Sequence, residues 1–262
     1  LTDNPMVADL MRLNKSFIVR RNLSNPREMR NTFLDLSRYI RDSLSDGHSI
    51  WMAQREGRAK DGVDLSDPAI IKMLYMSHKR DGVSLAESIR ALRVVPVSIS
   101  YEFDPCDQDK ARELEERYRT GDYQKRPGED IESIVKGVSG FKGRVHVAFG
   151  TPLDTANVER PEDVATAVDE QILALMRFYP VNYAAAEKLA SRHTISALPD
   201  SLRDQMPERA LLAEAHSELD HRLQAMDPAL HPWMLGIYAN ALLRRHNVAV
   251  GELRNPGDEP ES

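Results

Sequence analysis

A short apolar segment that ends in a charged, glycine-containing loop is the feature that most constrains how this chain folds. The apolar run covers residues 48–53, and the residues after it read Gln-Arg-Glu-Gly-Arg-Ala-Lys-Asp up to Asp61. An apolar run of this length, preceded by glycine, is typical of a buried strand. In open α/β sheets, ligands bind where strands end in such loops. The pattern therefore predicts a binding site directly after a strand.

The loop offers the kinds of group that hold a phosphate monoester. Its cations are Arg55, Arg58 and Lys60. Glu56 supplies an acceptor that orients neighbouring donors. Gly57 lets the backbone approach a ligand closely. The alternative is a solvated loop whose charges pair with one another.

A second cationic site follows another predicted strand. Arg20 and Arg21 come directly after the apolar run at residues 16–19. The whole chain is acidic, with a formal net charge of -6. Proteins that bind nucleic acids generally present a net basic surface, so we expect no nucleic-acid partner. The local basic clusters indicate a small anionic ligand instead.

Helix and strand patterns alternate through the first part of the chain. Asn25 and Pro26 form a helix start, and apolar residues three or four apart continue that helix to residue 44. Further strands are predicted at residues 94–101 and 143–150, with helical patterns between them. This alternation predicts an α/β fold with an open, largely parallel sheet flanked by helices.

Beyond Pro152 the sequence shows helical patterns only. These cover residues 161–178, 182–193, 206–226 and 231–246. The predicted organisation is an α/β domain at residues 1–155, a helical C-terminal extension at 156–254 and a disordered, acidic and proline-rich tail at 255–262.

Several other classes of site are disfavoured by the residues. The single cysteine, Cys106, rules out an internal disulfide framework and fits a reducing compartment. The eight histidines show no metal-ligand spacing, so we expect no metal. Residues 57–62 lack the Gly-Lys-Ser/Thr order of a P-loop, which weakens a nucleotide-binding interpretation. No apolar run reaches the length that spans a membrane.

Three segments resemble motifs of the glycerophosphate acyltransferase family, in the family's order. Residues 16–22, Ser-Phe-Ile-Val-Arg-Arg-Asn, resemble the second motif, and Arg21 takes its arginine position with Arg20 alongside. Glu56 and Gly57 resemble the Glu-Gly of the third motif, Phe-Pro-Glu-Gly-Thr-Arg-Ser. Residues 95–99, Val-Pro-Val-Ser-Ile, resemble the fourth, proline-centred motif. The resemblance covers roughly the first 155 residues.

The chain departs from the family pattern in two places. The third motif lacks Phe-Pro and has Arg58 directly after Gly57, so either Arg58 or Lys60 supplies the cation of that motif. The first motif, His-x-x-x-x-Asp, is absent from the 262 residues. In the family it precedes the second motif, so we expect an N-terminal truncation, with the catalytic histidine and aspartate upstream of Leu1. We therefore expect no catalytic residue in this chain and no turnover by it alone.

The resemblance implies an O-acyltransferase of phospholipid synthesis. The acyl group would pass from acyl-CoA or acyl-carrier protein to glycerol 3-phosphate or 1-acylglycerol 3-phosphate, with no cofactor beyond that donor. The residues expected to contact the acceptor phosphate are Arg20, Arg21, Glu56, Gly57, Arg58 and Lys60. Because the products are lipids, the expected location is cytoplasmic and peripheral, at the inner face of the cell membrane. The alternative is a non-catalytic interaction protein that binds phosphate or lipid on the same scaffold.

Overall fold

The computed structural model describes residues 25–55, 57, 59–192 and 197–248. Within these residues the fold is mostly helical, with one small sheet. The helices are α1 (Pro26–Ser45), α2 (Pro68–Arg80), α3 (Leu85–Leu92), α4 (Asp107–Thr120), α5 (Glu129–Ser139), α6 (Pro161–Leu175), α7 (Pro180–Ser191), α8 (Asp200–Arg203), α9 (Arg209–Gln224) and α10 (His231–Arg245). The strands are β1 (Val97–Tyr101) and β2 (Val145–Phe149), and a 3-10 turn at Pro228–Leu230 precedes α10.

The expected open, largely parallel sheet is wrong. The two strands pair antiparallel, with Val97 opposite Phe149 and Tyr101 opposite Val145. The sequence of β1, Val-Ser-Ile-Ser-Tyr, alternates apolar and polar residues. Strands of parallel sheets are covered on both faces and are apolar almost throughout, whereas alternation is typical of an antiparallel sheet with one face uncovered. The succession of helices and strands along the chain therefore did not arise from parallel crossovers.

The strand predicted at residues 48–53 is also wrong, because the described residues form no ladder there. A central strand would be buried on both faces. Here Trp51 keeps 64% of its surface exposed, and its neighbours His48, Ser49 and Ala53 are exposed as well. The strand predicted at residues 16–20 lies outside the described residues.

The two faces of the small sheet differ in an unusual way. The serines of β1 point into the protein, and the Ser100 hydroxyl accepts a hydrogen bond of 3.0 Å from the Arg177 backbone N–H. The opposite face consists of large apolar side chains that remain exposed. These are Ile99, Tyr101, Val145, Val147 and Phe149.

The described residues form two compact units. The first contains residues 25–55, 66–95 and 151–168, that is α1, α2, α3 and the beginning of α6. Asn25 caps α1 by accepting a hydrogen bond of 2.9 Å from Arg27 N, which confirms the predicted helix start. Helices α1 and α2 are joined by buried serines: Ser37 Oγ donates to the Leu74 carbonyl over 2.9 Å.

The second unit contains residue 57, residues 59–65, the sheet, and helices α4, α5 and α7–α10 with the end of α6. Its core is built around α10, where every residue from Trp233 to Leu243 is buried. A helix that is apolar around its whole circumference is surrounded by other elements. Side chains from α4, α7 and α9 complete this core, among them Leu114, Leu189 and Leu219. No helix in the described part of the chain is both long and apolar enough to cross a membrane.

Candidate anion-binding loop

Two of the six predicted phosphate-binding residues, Gly57 and Lys60, fall within the described structure. The other four, Arg20, Arg21, Glu56 and Arg58, lie outside the described residues, so their roles stay predictions. What the structure places is Gly57 and residues 59–65 of the loop, within the second compact unit.

Gly57 has the backbone conformation that a turn of this loop requires. Its φ of +79° lies in the left-handed region, which side chains other than glycine rarely adopt. The residue is exposed, and apart from its chain neighbours no heavy atom of the described residues lies within 4 Å of the position that a Cβ would take. The peptide at Gly57 is therefore accessible to a ligand from solvent.

Lys60 does not extend freely into solvent. Its Nζ lies 2.5 Å from Oε2 of Glu113 on α4, and only 19% of its side chain is exposed. Glu113 is buried, with 3% exposure. Arg117 Nη2 lies 2.9 Å from the other carboxylate oxygen of Glu113, although this ion pair lacks hydrogen-bond geometry. Lys60 thus compensates a buried carboxylate, and this contact fixes the loop to α4.

The next two residues of the loop contact α10. The side-chain amide of Asn240 donates a hydrogen bond of 2.9 Å to the backbone carbonyl of Asp61. Gly62, at φ +78°, passes so close to α10 that a built Cβ would lie 2.2 Å from the Ile237 carbonyl oxygen. Ile237 and Asn240 are three residues apart, so they lie on one face of the helix. That face of α10 receives the loop.

The Asp61 side chain stabilises the local turn. Its Oδ1 accepts a hydrogen bond of 3.0 Å from the Val63 backbone N–H, which forms an Asx turn. Together with the contacts to α4 and α10, this turn holds residues 60–63 in a defined conformation. The part of the loop that follows Gly57 is therefore held in place by the rest of the second unit.

Of the two candidate cations of the third motif, Arg58 and Lys60, only Lys60 is described by the structure, and it has a defined partner. Its ammonium group is already paired with the Glu113 carboxylate. An ammonium retains further donors, but its charge is balanced by that carboxylate. This geometry makes Lys60 an anchor of the loop, whereas Arg58 lies outside the described residues.

The sequence alone did not identify Gly62, Glu113 and Asn240 as parts of this site. Residues 110–119 are dense in charge, and such a run is typical of a solvated helix. The available signal was the helical spacing of Ala111 and Leu114, which are both buried and place the adjoining Glu113 near the interior. For Asn240, the signal was a single amide in an otherwise apolar helix.

The described histidines do not form a catalytic pair with an aspartate. Four of them contact other groups: His78 contacts Ser88, His216 contacts Glu187, His231 contacts the Leu223 carbonyl and His246 contacts Ser201. In the same part of the chain, no group of three or more acidic, histidine or cysteine side chains is arranged to hold a metal ion. What the described residues provide is an anchored loop.

No protein-family model, no curated protein and no solved structure matches this chain.

Proposed function

We propose that this chain contributes the acceptor-binding part of an O-acyltransferase. The acyl group of acyl-CoA or acyl-carrier protein is transferred to glycerol 3-phosphate or 1-acylglycerol 3-phosphate. The observation that carries the proposal is the loop at Gly57, which has the Glu-Gly sequence of the family's third motif. Its exposed glycine has a left-handed backbone and is followed by an anchored lysine. An accessible backbone beside cations suits a phosphate group.

In this proposal the cations and the loop supply binding and orientation. Arg21, with Arg20 alongside, and Arg58 bind the phosphate oxygens, while Glu56 orients the loop. Arginine is suited to this task because its planar guanidinium donates two parallel hydrogen bonds to a phosphate. Holding the acceptor at its phosphate positions the hydroxyl for attack on the thioester.

Deprotonation of the hydroxyl needs a general base, which contributes roughly a hundred- to ten-thousand-fold to such reactions. The 262 residues do not contain the family's His-x-x-x-x-Asp motif. We therefore expect the 262-residue chain to bind the acceptor without turning it over. Because one acceptor and the products are lipids, we propose a cytoplasmic location, peripheral at the inner face of the cell membrane.

Calorimetric titration of the 262-residue chain tests the binding proposal. Glycerol 3-phosphate should bind and glycerol should not, because only the former carries the phosphate. Arg21→Ala should weaken binding about tenfold or more, since a hydrogen bond to a charged group contributes about 1.5–3 kcal/mol. Arg209→Ala, at an exposed arginine at the start of α9, is the control and should bind as the wild type. Equal responses to glycerol and glycerol 3-phosphate would overturn the proposal.

A second candidate is a non-catalytic protein that binds phosphate or lipid. The sequence favours it in one respect, because the motif that carries the base is absent from these residues. Transfer of labelled acyl groups separates the two candidates when the assay is run on the complete reading frame with Glu56→Ala as a comparison. Turnover that falls in the variant identifies an enzyme. Binding without turnover identifies the interaction protein.

A further inference from the structure

Residues 60–62 of the loop contact two helices of the second unit, α4 and α10. Three consecutive residues each meet a different group of the second unit. Lys60 pairs with Glu113, Asp61 accepts from Asn240, and Gly62 packs on the backbone at Ile237. We call the Glu113 carboxylate, the Asn240 amide and the Ile237 carbonyl the loop seat.

The contact at Gly62 requires glycine for two independent reasons. The left-handed φ of +78° disfavours any other residue. A Cβ would also lie 3.0 Å or less from the Ile237 carbonyl group, 2.2 Å from its oxygen. The obstructing atoms belong to the backbone of a buried helix, so they cannot move aside as a flexible side chain would. The chain therefore passes α10 at a distance that leaves no room for a side chain at residue 62.

Asn240 is the second specific feature of the loop seat. It is 2% exposed, and its neighbours Ala239 and Ala241 on α10 are also buried. A buried amide is unfavourable unless it forms hydrogen bonds. Its side-chain nitrogen donates a hydrogen bond to the Asp61 carbonyl, and its Oδ1 has no hydrogen-bond partner among the described residues. Its polar group is thus directed to the loop.

We propose that the loop seat preorganises the anion-binding loop, so that Glu113 and Asn240 are positioning residues for acceptor binding. This inference rests on the proposed function and gives a role to α10, which belongs to the helical C-terminal region. A loop that is already ordered loses less conformational entropy when the ligand binds, and affinity rises accordingly. Neither positioning residue needs to touch the ligand.

Asn240→Leu is the most informative variant. Leucine has a similar size and suits the apolar surroundings, so the midpoint of thermal unfolding should not fall. The hydrogen bond to Asp61 is lost, so amides of residues 59–65 should exchange with solvent deuterium about tenfold faster. Gly62→Ala should have the same effect on exchange, and it serves as a second variant where the protein still folds.

Asn182→Leu is the matched control. The Asn182 amide donates a hydrogen bond of 2.8 Å to the Tyr238 carbonyl of α10, the same chemistry between α7 and α10 instead of between α10 and the loop. Asn182 also caps the start of α7 through its Oδ1, so this variant should unfold at a lower temperature. Exchange in residues 59–65 should stay as in the wild type. If Asn240→Leu and Asn182→Leu alter loop exchange equally, or if neither does, the loop seat is overturned.

Titration with glycerol 3-phosphate then tests positioning. We expect Asn240→Leu to weaken binding about tenfold at an unchanged unfolding midpoint. Faster loop exchange with wild-type affinity would overturn the positioning role. A wild-type chain that binds no glycerol 3-phosphate would overturn the proposed function and the positioning role together. In that case the exchange data still decide whether the loop seat holds the loop.

Discussion

At the scale of single residues, the two possible roles of Lys60 differ in what its removal does to stability. A lysine that only binds ligand affects stability little, because surface substitutions generally change the free energy of unfolding by less than about 0.5 kcal/mol. A lysine that compensates a buried carboxylate affects it strongly. The distance of 2.5 Å between Lys60 Nζ and Glu113 Oε2 places it in the second class.

We therefore expect Lys60→Met to lower the free energy of unfolding by about 2 kcal/mol, because Glu113 would lose one of its two cations. Urea unfolding measures this change. The double variant Lys60→Met with Glu113→Leu should recover most of the loss, since the buried charge is then gone. An unaltered unfolding curve for Lys60→Met would show that the lysine does not anchor the loop.

The Tyr238 hydroxyl lies at the centre of a buried hydrogen-bond network in the second unit. It donates to Asp107 Oδ2 over 2.7 Å and accepts from the Asp104 backbone N–H over 3.1 Å. Burial raises the pKa of Tyr238 well above its usual range, and the adjacent Asp107 carboxylate adds to this shift, so the hydroxyl stays protonated. Arg222 Nη1 lies 2.9 Å from Asp107 Oδ2, and its positive charge balances that carboxylate.

Tyr238→Phe should lower the free energy of unfolding by about 1–3 kcal/mol, because Asp104 N–H loses its partner and Asp107 loses a donor. Denaturant unfolding gives the value. Tyr183→Phe is the control: Tyr183 is buried in the same core, and no hydrogen bond of its hydroxyl is seen within the described residues. Equal losses for the two variants would mean that the hydroxyl of Tyr238 contributes nothing specific.

The lowered pKa of His78 predicts how the stability of the first unit depends on pH. Burial, and secondarily Arg41, lower the pKa of His78 from 6.5, and its Nδ1 lies 2.6 Å from the buried Ser88 hydroxyl. Asp81 opposes the shift. The pKa of His78 is lower in the folded chain than in the unfolded chain, so neutral His78 favours the folded state. This contribution to the free energy of unfolding is complete above pH 6.5 and is lost as the pH falls below that value.

Thermal unfolding between pH 7.5 and about 5 checks this expectation. The unfolding midpoint of the wild type should fall as the solution becomes more acidic through this range. His78→Gln should make the decline shallower, because the titrating group is gone. His246, whose pKa is also lowered by burial, contributes in the same direction. A midpoint that rises as the pH is lowered would contradict the sign of both shifts.

At the scale of elements, the helices were largely predictable and the sheet was not. Ser84 and Glu87 have the spacing of a capping box, and both of its hydrogen bonds form at the start of α3 because they are local. Strand pairing depends on residues distant in the chain. Val97 pairs with Phe149, and nothing near either residue specifies the direction of the partner. Local chemistry fixed the helix start, whereas strand direction required tertiary contacts.

The exposed face of the sheet predicts an unusual tolerance to polar substitution. Phe149 keeps 71% of its surface exposed, so Phe149→Thr should change the free energy of unfolding by less than about 0.5 kcal/mol. Leu235→Ala, at a fully buried position of α10, should cost about 2–5 kcal/mol and serves as the comparison. Denaturant unfolding of both variants gives the two values. A loss above about 1 kcal/mol for Phe149→Thr would mean that this face is covered in solution.

At the scale of the whole molecule, sequence and structure contributed different parts of the candidate site. The sequence predicted the loop, because charge and glycine are concentrated within a few residues around Gly57. It did not predict the supports. Glu113 and Asn240 are 53 and 179 residues away in the chain from the loop positions that they contact. Such pairings arise only when α4 and α10 pack together in the core of the second unit.

The proposed acceptor site is tested most directly by hydrogen exchange of the wild-type chain with and without glycerol 3-phosphate, and with glycerol as the control. We expect glycerol 3-phosphate to slow exchange in the peptide that spans residues 54–66, because phosphate contacts protect backbone amides around Gly57. Glycerol should leave that peptide unchanged. Protection elsewhere with none in this peptide, or equal protection by both compounds, would contradict an anion-binding role for the loop.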